Sequence, residues 1–306
     1  MKSMDMKTLF TVALQHQKVK YGDIYQLLNV IDFSSLKSIT DLKESIESIG
    51  RLDLFPAELS WNYALELEDK NNQHDVRSFS IISNGYPKHL REIDNPPLVL
   101  HVRGNVKLLQ DVRGISVVGA RKTSEAGLII AHRIAKEAVE KGWVVVSGLA
   151  LGIDASAHKG ALSVGVEGST VAVLAHGLEA AKPASNKKLG AQILENGGAW
   201  VSEHAIGVPA RPPQFVQRNR IQLGLSVGSI IVEAEEKSGS ITQARFCLQQ
   251  KRPLFAVVPE NIENPLKLVC SGTSMLVKEM GANPLRTKSD YPEMFEKFNR
   301  QKSIMI

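Results

Sequence analysis

Short β-branched runs alternate with helical segments from residue 114 to residue 258, and this alternation limits the possible fold more than any other feature. The run at 144–146 consists of three valines, and residues 125–141 before it repeat apolar side chains at helical spacing. Apolar strands separated by helices are typical of a parallel sheet that is covered on both faces. The sequence therefore predicts an α/β fold, namely a Rossmann-like, doubly wound and mostly parallel sheet with right-handed crossovers.

The predicted elements divide the chain into three parts. Leu42, Ile46 and Ile49 recur at helical steps, so residues 1–75 predict a small helical accessory domain. We expect the Rossmann-like core at 76–290 and a short C-terminal helix or tail at 291–306. Strands are expected at 78–83, 98–102, 115–118, 144–146, 170–174, 200–202, 229–232 and 254–258, and helices at 125–141, 155–162, 187–195, 219–225 and 241–250.

Charge is distributed unevenly between these parts. Residues 1–75 carry 8 Lys/Arg and 12 Asp/Glu, a net charge of −4, which leaves +9 for the remainder of a chain whose total is +5. A polyanionic partner would therefore dock on the α/β part. A basic surface that serves only solubility explains the same modest excess, so the charge alone leaves both interpretations open.

Several classes of protein are disfavoured by what the sequence lacks. It has no G-x-G-x-x-G and no G-x-x-x-x-G-K-[ST], which argues against an ordinary NAD enzyme and a P-loop ATPase. Neither a metal-binding motif nor a G-x-S-x-G elbow is present, so we expect no metal, no cofactor and no hydrolase triad. Two cysteines and the absence of a signal peptide or a long apolar run predict a cytoplasmic protein that does not enter a membrane.

Small and basic residues follow the predicted strands. Glycines let backbone N–H groups approach an anion, helix N-termini add a favourable dipole, and arginine supplies a planar fork for phosphate oxygens. Each loop alone is better explained as a tight strand-to-helix turn. Together they predict an anion-binding crevice at the carboxyl ends of the strands. The loops contain Gly119 and Arg121, Ser147 and Gly148, Arg218, Asn219 and Arg220, and Ser238, Gly239 and Ser240.

An ordered set of short motifs over about residues 79–285 resembles the DNA-processing protein A (DprA/Smf) family. The motifs include Gly85-Tyr86-Pro87, Val118-Gly119-Ala120-Arg121, Ser147-Gly148-Leu149-Ala150, Arg218-Asn219-Arg220-Ile221 and Ser238-Gly239-Ser240. The resemblance implies a Rossmann-like core that binds single-stranded DNA and forms a homodimer. It also implies that the protein helps to load a RecA-type recombinase onto incoming DNA, without catalytic turnover.

The resemblance also assigns roles to individual residues. It implies that Arg121, Arg218 and Arg220 bind phosphates, with Asn219 between the last two. Phe215 either stacks on a base or packs against the protein. Small-residue and backbone contacts to DNA are implied for Gly119, Ser147, Gly148, Ser238, Gly239 and Ser240, and further DNA contacts for Lys182, Asn186 and Lys187.

The chain departs from the family pattern at a few places. Leu151 stands where the family usually has arginine, and Ala181-Lys182-Pro183 replaces a usual Tyr-Pro. The late glycine-rich loop is reduced to residues 270–274, and no winged helix is recognisable after residue 285. Natural transformation, phage defence and general recombination all fit such a protein.

A second hypothesis is a nucleotide sensor or a nucleotide N-glycosidase-like enzyme on a related fold. Its catalytic pair would be Glu203 or Glu233 together with Arg218. The segment around Ser238 lacks the P-G-G-x-G-T-x-x-E form of such sites.

Overall fold

The structure is a computed structural model that describes residues 3–305. Its centre is a nine-stranded sheet in the order β1-β2-β6-β5-β4-β3-β7-β8-β9. The strands are β1 (Val76–Ser80), β2 (Val99–Gly104), β3 (Gly114–Val118), β4 (Val144–Ser147), β5 (Thr170–Val173), β6 (Ala199–Ser202), β7 (Ser229–Ile231), β8 (Leu254–Val257) and β9 (Asn283–Leu285).

Seven of these strands, from β6 across to β9, are parallel, whereas β1 and β2 add an antiparallel edge. The strand order reverses at β3, which lies between β4 and β7. Loops that leave β3 and β7 therefore diverge, and such a switch point opens a crevice at the carboxyl ends of the strands. The predicted Rossmann-like fold is confirmed.

Helices cover both faces of the sheet. They are α1 (Met6–His16), α2 (Tyr21–Val30), α3 (Ile39–Ser48), α4 (Glu58–Gln73), α5 (Glu125–Glu140), α6 (Ile153–Leu162), α7 (Lys187–Glu195), α8 (Pro212–Gln217), α9 (Asn219–Gly224), α10 (Gly239–Gln249), α11 (Ser271–Met280) and α12 (Tyr291–Met305). In the part of the chain that the structure describes, no helix is long and apolar enough to cross a membrane.

Helix α5 illustrates how the sequence produces these elements. Ser124 caps its N-terminus by accepting a hydrogen bond from the Gly127 N–H. Ala131, Ile134 and Ala138 then recur on one side and are fully buried against the sheet together with α6 and α12. The other face of the sheet is covered by α1–α4 and by α10 and α11.

The segment before the sheet is helical, as the sequence predicts. Phe10, Leu14 and Leu27 belong to the same buried cluster as Val102 and Val146 of the sheet. Helix α12 likewise shares a buried cluster with the sheet strands. The division of the chain into domains at residues 75 and 290 stays a prediction.

Three elements were not predicted. Helix α8 has only six residues and begins with two prolines, and β9 is a three-residue edge strand that contains Pro284. Helix α11 begins at Ser271, so the segment 270–274, which the sequence suggests is a reduced loop, is mostly the first turn of a helix. Short elements with few apolar residues give a weak periodic signal, which explains these omissions.

Candidate functional site

A crevice of about 520 Å³ opens at the switch point between β3 and β7. Its walls are the loop after β3, helices α8 and α9, and the N-terminus of α10. The structure brings seven of the predicted site residues to this crevice: Gly119, Arg121, Arg218, Asn219, Ser238, Gly239 and Ser240. Polar groups from three separate segments of the chain therefore converge on one space.

Arg121 lies at the mouth of the crevice. Its guanidinium carbon is 5.1 Å from the centroid of the Phe215 ring, a cation–π contact between the loop after β3 and helix α8. Arg121 is exposed, and within residues 3–305 it makes no hydrogen bond or ion pair. Its donors are therefore available to an anion. Phe215 packs against Arg121 in this structure, and it also lines the crevice.

Arg218 is a buried cation in the wall. It is only 6 % exposed, and its Nη1 donates a hydrogen bond of 2.7 Å to the Val173 carbonyl at the end of β5. Burial lowers the pKa of Arg218, and the nearby Asp154 carboxylate opposes that shift. Burial raises the pKa of Asp154, which accepts a hydrogen bond from the Gly148 N–H. The crevice thus contains a fixed, largely desolvated guanidinium whose charge is opposed by the Asp154 carboxylate, which lines the same space.

The N-terminus of α10 faces the same space. Ser238 is the N-cap residue, and its buried Oγ has no hydrogen-bond partner among residues 3–305. The first N–H groups of a helix have no acceptor within the helix, so those of Gly239 and Ser240 can bind an anion. The Asn219 amide donates to the Gly239 carbonyl at 3.2 Å and holds helix α9 against this turn.

Two buried glutamines form the floor of the crevice, and sequence reasoning missed both. Gln222 is fully buried, and neither its amide oxygen nor its amide nitrogen has a partner in the described chain. Gln243 donates to the Ser116 hydroxyl at 2.6 Å, but its Oε1 also lacks a partner. Buried amides without partners are uncommon, and a bound polar ligand would satisfy them. The only indication in the sequence was that one glutamine lies among the core-facing positions of each of the predicted helices 219–225 and 241–250.

Arg220 lies outside the crevice. Its guanidinium forms a bidentate ion pair with Glu203, with Nη1–Oε1 at 2.8 Å and Nη2–Oε2 at 2.6 Å. Its Nε donates to the Asn95 carbonyl at 2.8 Å. Burial acts to raise the pKa of Glu203, but the hydrogen bonds and charge of Arg220 bring that pKa below its ordinary value. Arg220 therefore ties the β6 end to the segment before β2.

The remaining predicted residues lie beneath or beside the crevice. The Ser147 hydroxyl is buried and donates to the Val117 carbonyl at 2.7 Å, which ties β4 to β3. Asn186 donates to the carbonyls of Leu149 and Ala150, so it holds the loop between β4 and α6. Lys182 and Lys187 are exposed near that loop, and Leu151 within it is 46 % exposed.

Glu233 is the second carboxylate of the enzyme hypothesis. Its Oε1 accepts hydrogen bonds from the Ser124 hydroxyl at 2.6 Å and from the Val269 N–H at 2.9 Å, and its Oε2 accepts one from the Ser124 N–H. Both carboxylate oxygens of Glu233 therefore accept hydrogen bonds at the start of α5, just as both carboxylate oxygens of Glu203 accept hydrogen bonds from Arg220. Within residues 3–305, no cluster of three or more His, Cys, Asp or Glu side chains could hold a metal ion.

These features define a class of protein: a Rossmann-like α/β protein whose switch-point crevice is lined by arginine side chains and by the N-terminus of a helix. Residues 77–296 match the family described as DNA recombination-mediator protein A. The chain belongs to this family, which confirms the resemblance seen in its motifs.

Known relatives agree with this assignment. The chain is 36% identical to the DNA processing protein DprA of Bacillus subtilis over 208 residues, which is 67% of this chain and 69% of the relative. It is 40% identical to protein Smf of Escherichia coli over 183 residues, 60% of this chain but only 48% of the relative. The chain therefore spans about half of the Escherichia coli protein.

Two solved structures have the same fold. DprA from Streptococcus pneumoniae superposes with a TM-score of 0.66 at 29% identity, covering 90% of this chain and 98% of the other. The Helicobacter pylori protein superposes with a TM-score of 0.62 at 26% identity, covering 72% and 96%. That protein is described as having a unique single-stranded DNA binding mode.

Proposed function

We propose that this chain binds single-stranded DNA in the switch-point crevice and helps to load a RecA-type recombinase onto it. The observation that carries the proposal is the convergence of Arg121, Arg218 and the α10 N-terminus on one space. These groups are the donors that proteins direct at phosphate oxygens. The described binding mode of the Helicobacter pylori relative supports the same ligand.

A single strand suits the crevice better than a duplex does. A space of about 520 Å³ accommodates a short stretch of backbone with an unstacked base, whereas a double helix is much wider. Buried Gln222 and Gln243 lie at the floor, where they reach the edge of a base only if that base is unpaired. We therefore propose that phosphates bind at Arg121, Arg218 and the α10 turn, while a base enters toward the glutamines.

The other predicted residues receive supporting roles in this proposal. Gly119 and Gly148 have no side chain and so leave room for the groups that pack against them. Ser238, Gly239 and Ser240 form the first turn of α10, and Asn219 holds this turn in place. Lys182 and Lys187 attract the strand as it leaves the crevice. Ser147, Asn186 and Arg220 position these segments without touching DNA. Leu151 contributes no charge, so this chain relies on Arg121 and Arg218 more than a relative with arginine there.

The finer points of the function are also proposals. We propose that the protein acts in the cytoplasm as a homodimer and that it binds DNA without catalytic turnover. Membership of a family described as a recombination mediator supports a binding role. The engagement of Glu203 by Arg220 and of Glu233 by Ser124 favours a binding role over an N-glycosidase, because a general acid or base needs a free carboxylate beside the substrate.

A competition experiment separates these ligands. The full chain is bound to a fluorescein-labelled deoxythymidine 20-mer at low salt and then challenged with unlabelled 20-mer, with its duplex with deoxyadenosine 20-mer, or with a mononucleotide. We expect the single strand to compete at least tenfold better than the duplex. Stronger competition by the mononucleotide, or release of free base from it measured by chromatography, would refute the proposal and favour the nucleotide hypothesis.

A further inference from the structure

A second cavity, of about 250 Å³, lies on the α5 and α12 side of the sheet and shares no lining residue with the crevice. We call it the α5 slot. Its inner surface is apolar and comes from α5, the ends of β8 and β9, and the start of α12. The apolar lining residues are Ala126, Ile129, Ile130, Ile134, Val257, Leu266, Leu285 and Tyr291.

Two large apolar side chains at this slot are exposed to solvent. Ile129 is 57 % exposed on α5, and Leu266 is 56 % exposed on the loop that follows β8. Single exposed apolar residues are ordinary, but here two of them adjoin a cavity whose inner surface is itself apolar. Such a combination is typical of a docking site for another molecule, because an occupant would remove both side chains from water.

The polar part of the slot is cationic. Arg133, Arg286 and Lys288 line it, and no carboxylate does. Within residues 3–305, the guanidinium groups of Arg133 and Arg286 make no ion pair and no hydrogen bond, and Lys288 alone has a partner, Glu137 at 3.6 Å. An occupant that brings carboxylates would therefore meet two arginines with free donors.

From this geometry we infer that the α5 slot docks an acidic peptide segment of a partner protein. One large apolar side chain of the segment enters between Ile129 and Leu266, and neighbouring carboxylates pair with Arg133 and Arg286. The lining favours a peptide over a nucleic acid. Its accessible apolar side chains are aliphatic, and its aromatic residue, Tyr291, is buried. Single-stranded nucleic acids instead bind to exposed aromatic rings on which their bases stack.

The experiment measures binding of a defined probe by fluorescence anisotropy. The probe is a fluorescein-labelled peptide of four aspartates followed by leucine and phenylalanine, and a matched peptide has serine in place of phenylalanine. The slot variants are Ile129→Ser and Arg286→Glu in the full chain. The matched controls are Leu59→Ser, at a residue that is 73 % exposed on α4, and Arg300→Glu, at an exposed residue of α12.

We expect the phenylalanine peptide to bind in the micromolar range and each slot variant to weaken it about tenfold, as loss of one buried apolar contact or one charge pair implies. The serine peptide is expected to bind at least tenfold more weakly, and both control variants to bind like the parent chain. Circular dichroism establishes that every variant is folded.

Three results would overturn the inference. The first is the absence of peptide binding, and the second is peptide binding that the slot variants leave unchanged. The third is weaker binding of the deoxythymidine 20-mer to the slot variants, which would assign the slot to nucleic acid. Because the slot and the crevice share no lining residue, the peptide experiment and the DNA experiment can fail independently of each other.

Discussion

The Arg218 guanidinium crosses the backbone of Gly148 so closely that a Cβ atom on residue 148 would lie 1.5 Å from Nη1. This contact joins the loop after β4 to the start of α9. It explains why glycine follows Ser147, because any side chain there would displace the buried cation of the crevice.

Replacing Gly148 with alanine should therefore move Arg218 or the loop that contains Asp154. We expect a loss of stability of about 1 to 3 kcal/mol, as for other overpacked sites, together with weaker binding of single-stranded DNA. Urea unfolding and anisotropy measure the two effects. Gly22→Ala is the matched control, since nothing lies within 4 Å of a Cβ at that position. Equal stability of the G148A chain and its parent would contradict the observed geometry.

Truncation should cost much more stability at Arg220 than at Arg121. Arg220→Ala leaves the largely buried Glu203 carboxylate without its partner, so we expect a loss of about 3 kcal/mol of stability. Arg121→Ala removes an exposed side chain with no ion pair, and its stability should change by less than about 0.5 kcal/mol. Denaturant unfolding of both variants checks this contrast, and similar losses in the two would refute the assignment of Arg220 to a structural role.

The buried amide of Gln222 should lower the stability of the protein when no DNA is bound. Because both its amide atoms are buried without partners, Gln222→Met should stabilise the chain by about 1 kcal/mol while weakening binding of single-stranded DNA. Gln243→Met is the comparison, and it should destabilise the chain, since it removes the hydrogen bond to Ser116. A less stable Q222M chain with undiminished DNA binding would show that Gln222 does not serve a ligand.

Acid should weaken the fold through His101, which is buried on β2. Burial lowers its pKa from 6.5 to about 4, with a smaller contribution from His204. Because the unfolded chain binds the proton more readily than the folded chain does, the stabilisation of the fold by neutral His101 is fully present above pH 6.5. It is lost as the pH falls toward about 4, and one such group accounts for about 3 kcal/mol.

Urea unfolding between pH 7.5 and pH 4.5 measures this loss. We expect His101→Gln to be less sensitive to acid than the parent chain, whereas His74→Gln, at the end of α4, should keep the parent's sensitivity. An identical pH dependence of the H101Q chain and its parent would contradict this explanation.

The sequence predicted the parallel sheet because its central strands are buried on both faces and largely apolar, and because the helices that connect them have their own periodicity. The prediction for helix 187–195 coincides with α7, and those for the central strands differ by one residue or two. Roles of single polar residues were harder to predict, since they depend on partners far away in the chain. Arg121 and Arg220 look alike in sequence, but only Arg220 meets Glu203 and the Asn95 carbonyl. The same limit applies to Ser147, whose hydroxyl turns toward Val117, and to Gln222.

Dependence of DNA affinity on salt tests the central claim most directly. The Kd of the full chain and of Arg121→Ala for a fluorescein-labelled deoxythymidine 20-mer is measured by anisotropy from about 25 to about 300 mM NaCl. We predict that the parent chain binds at low salt, that log affinity falls linearly with log salt concentration, and that the R121A chain has a slope shallower by about 0.7, the value for one phosphate contact on a single strand. An undetectable affinity at the lowest salt, or equal slopes for the two chains, would contradict the assignment of this crevice to single-stranded DNA.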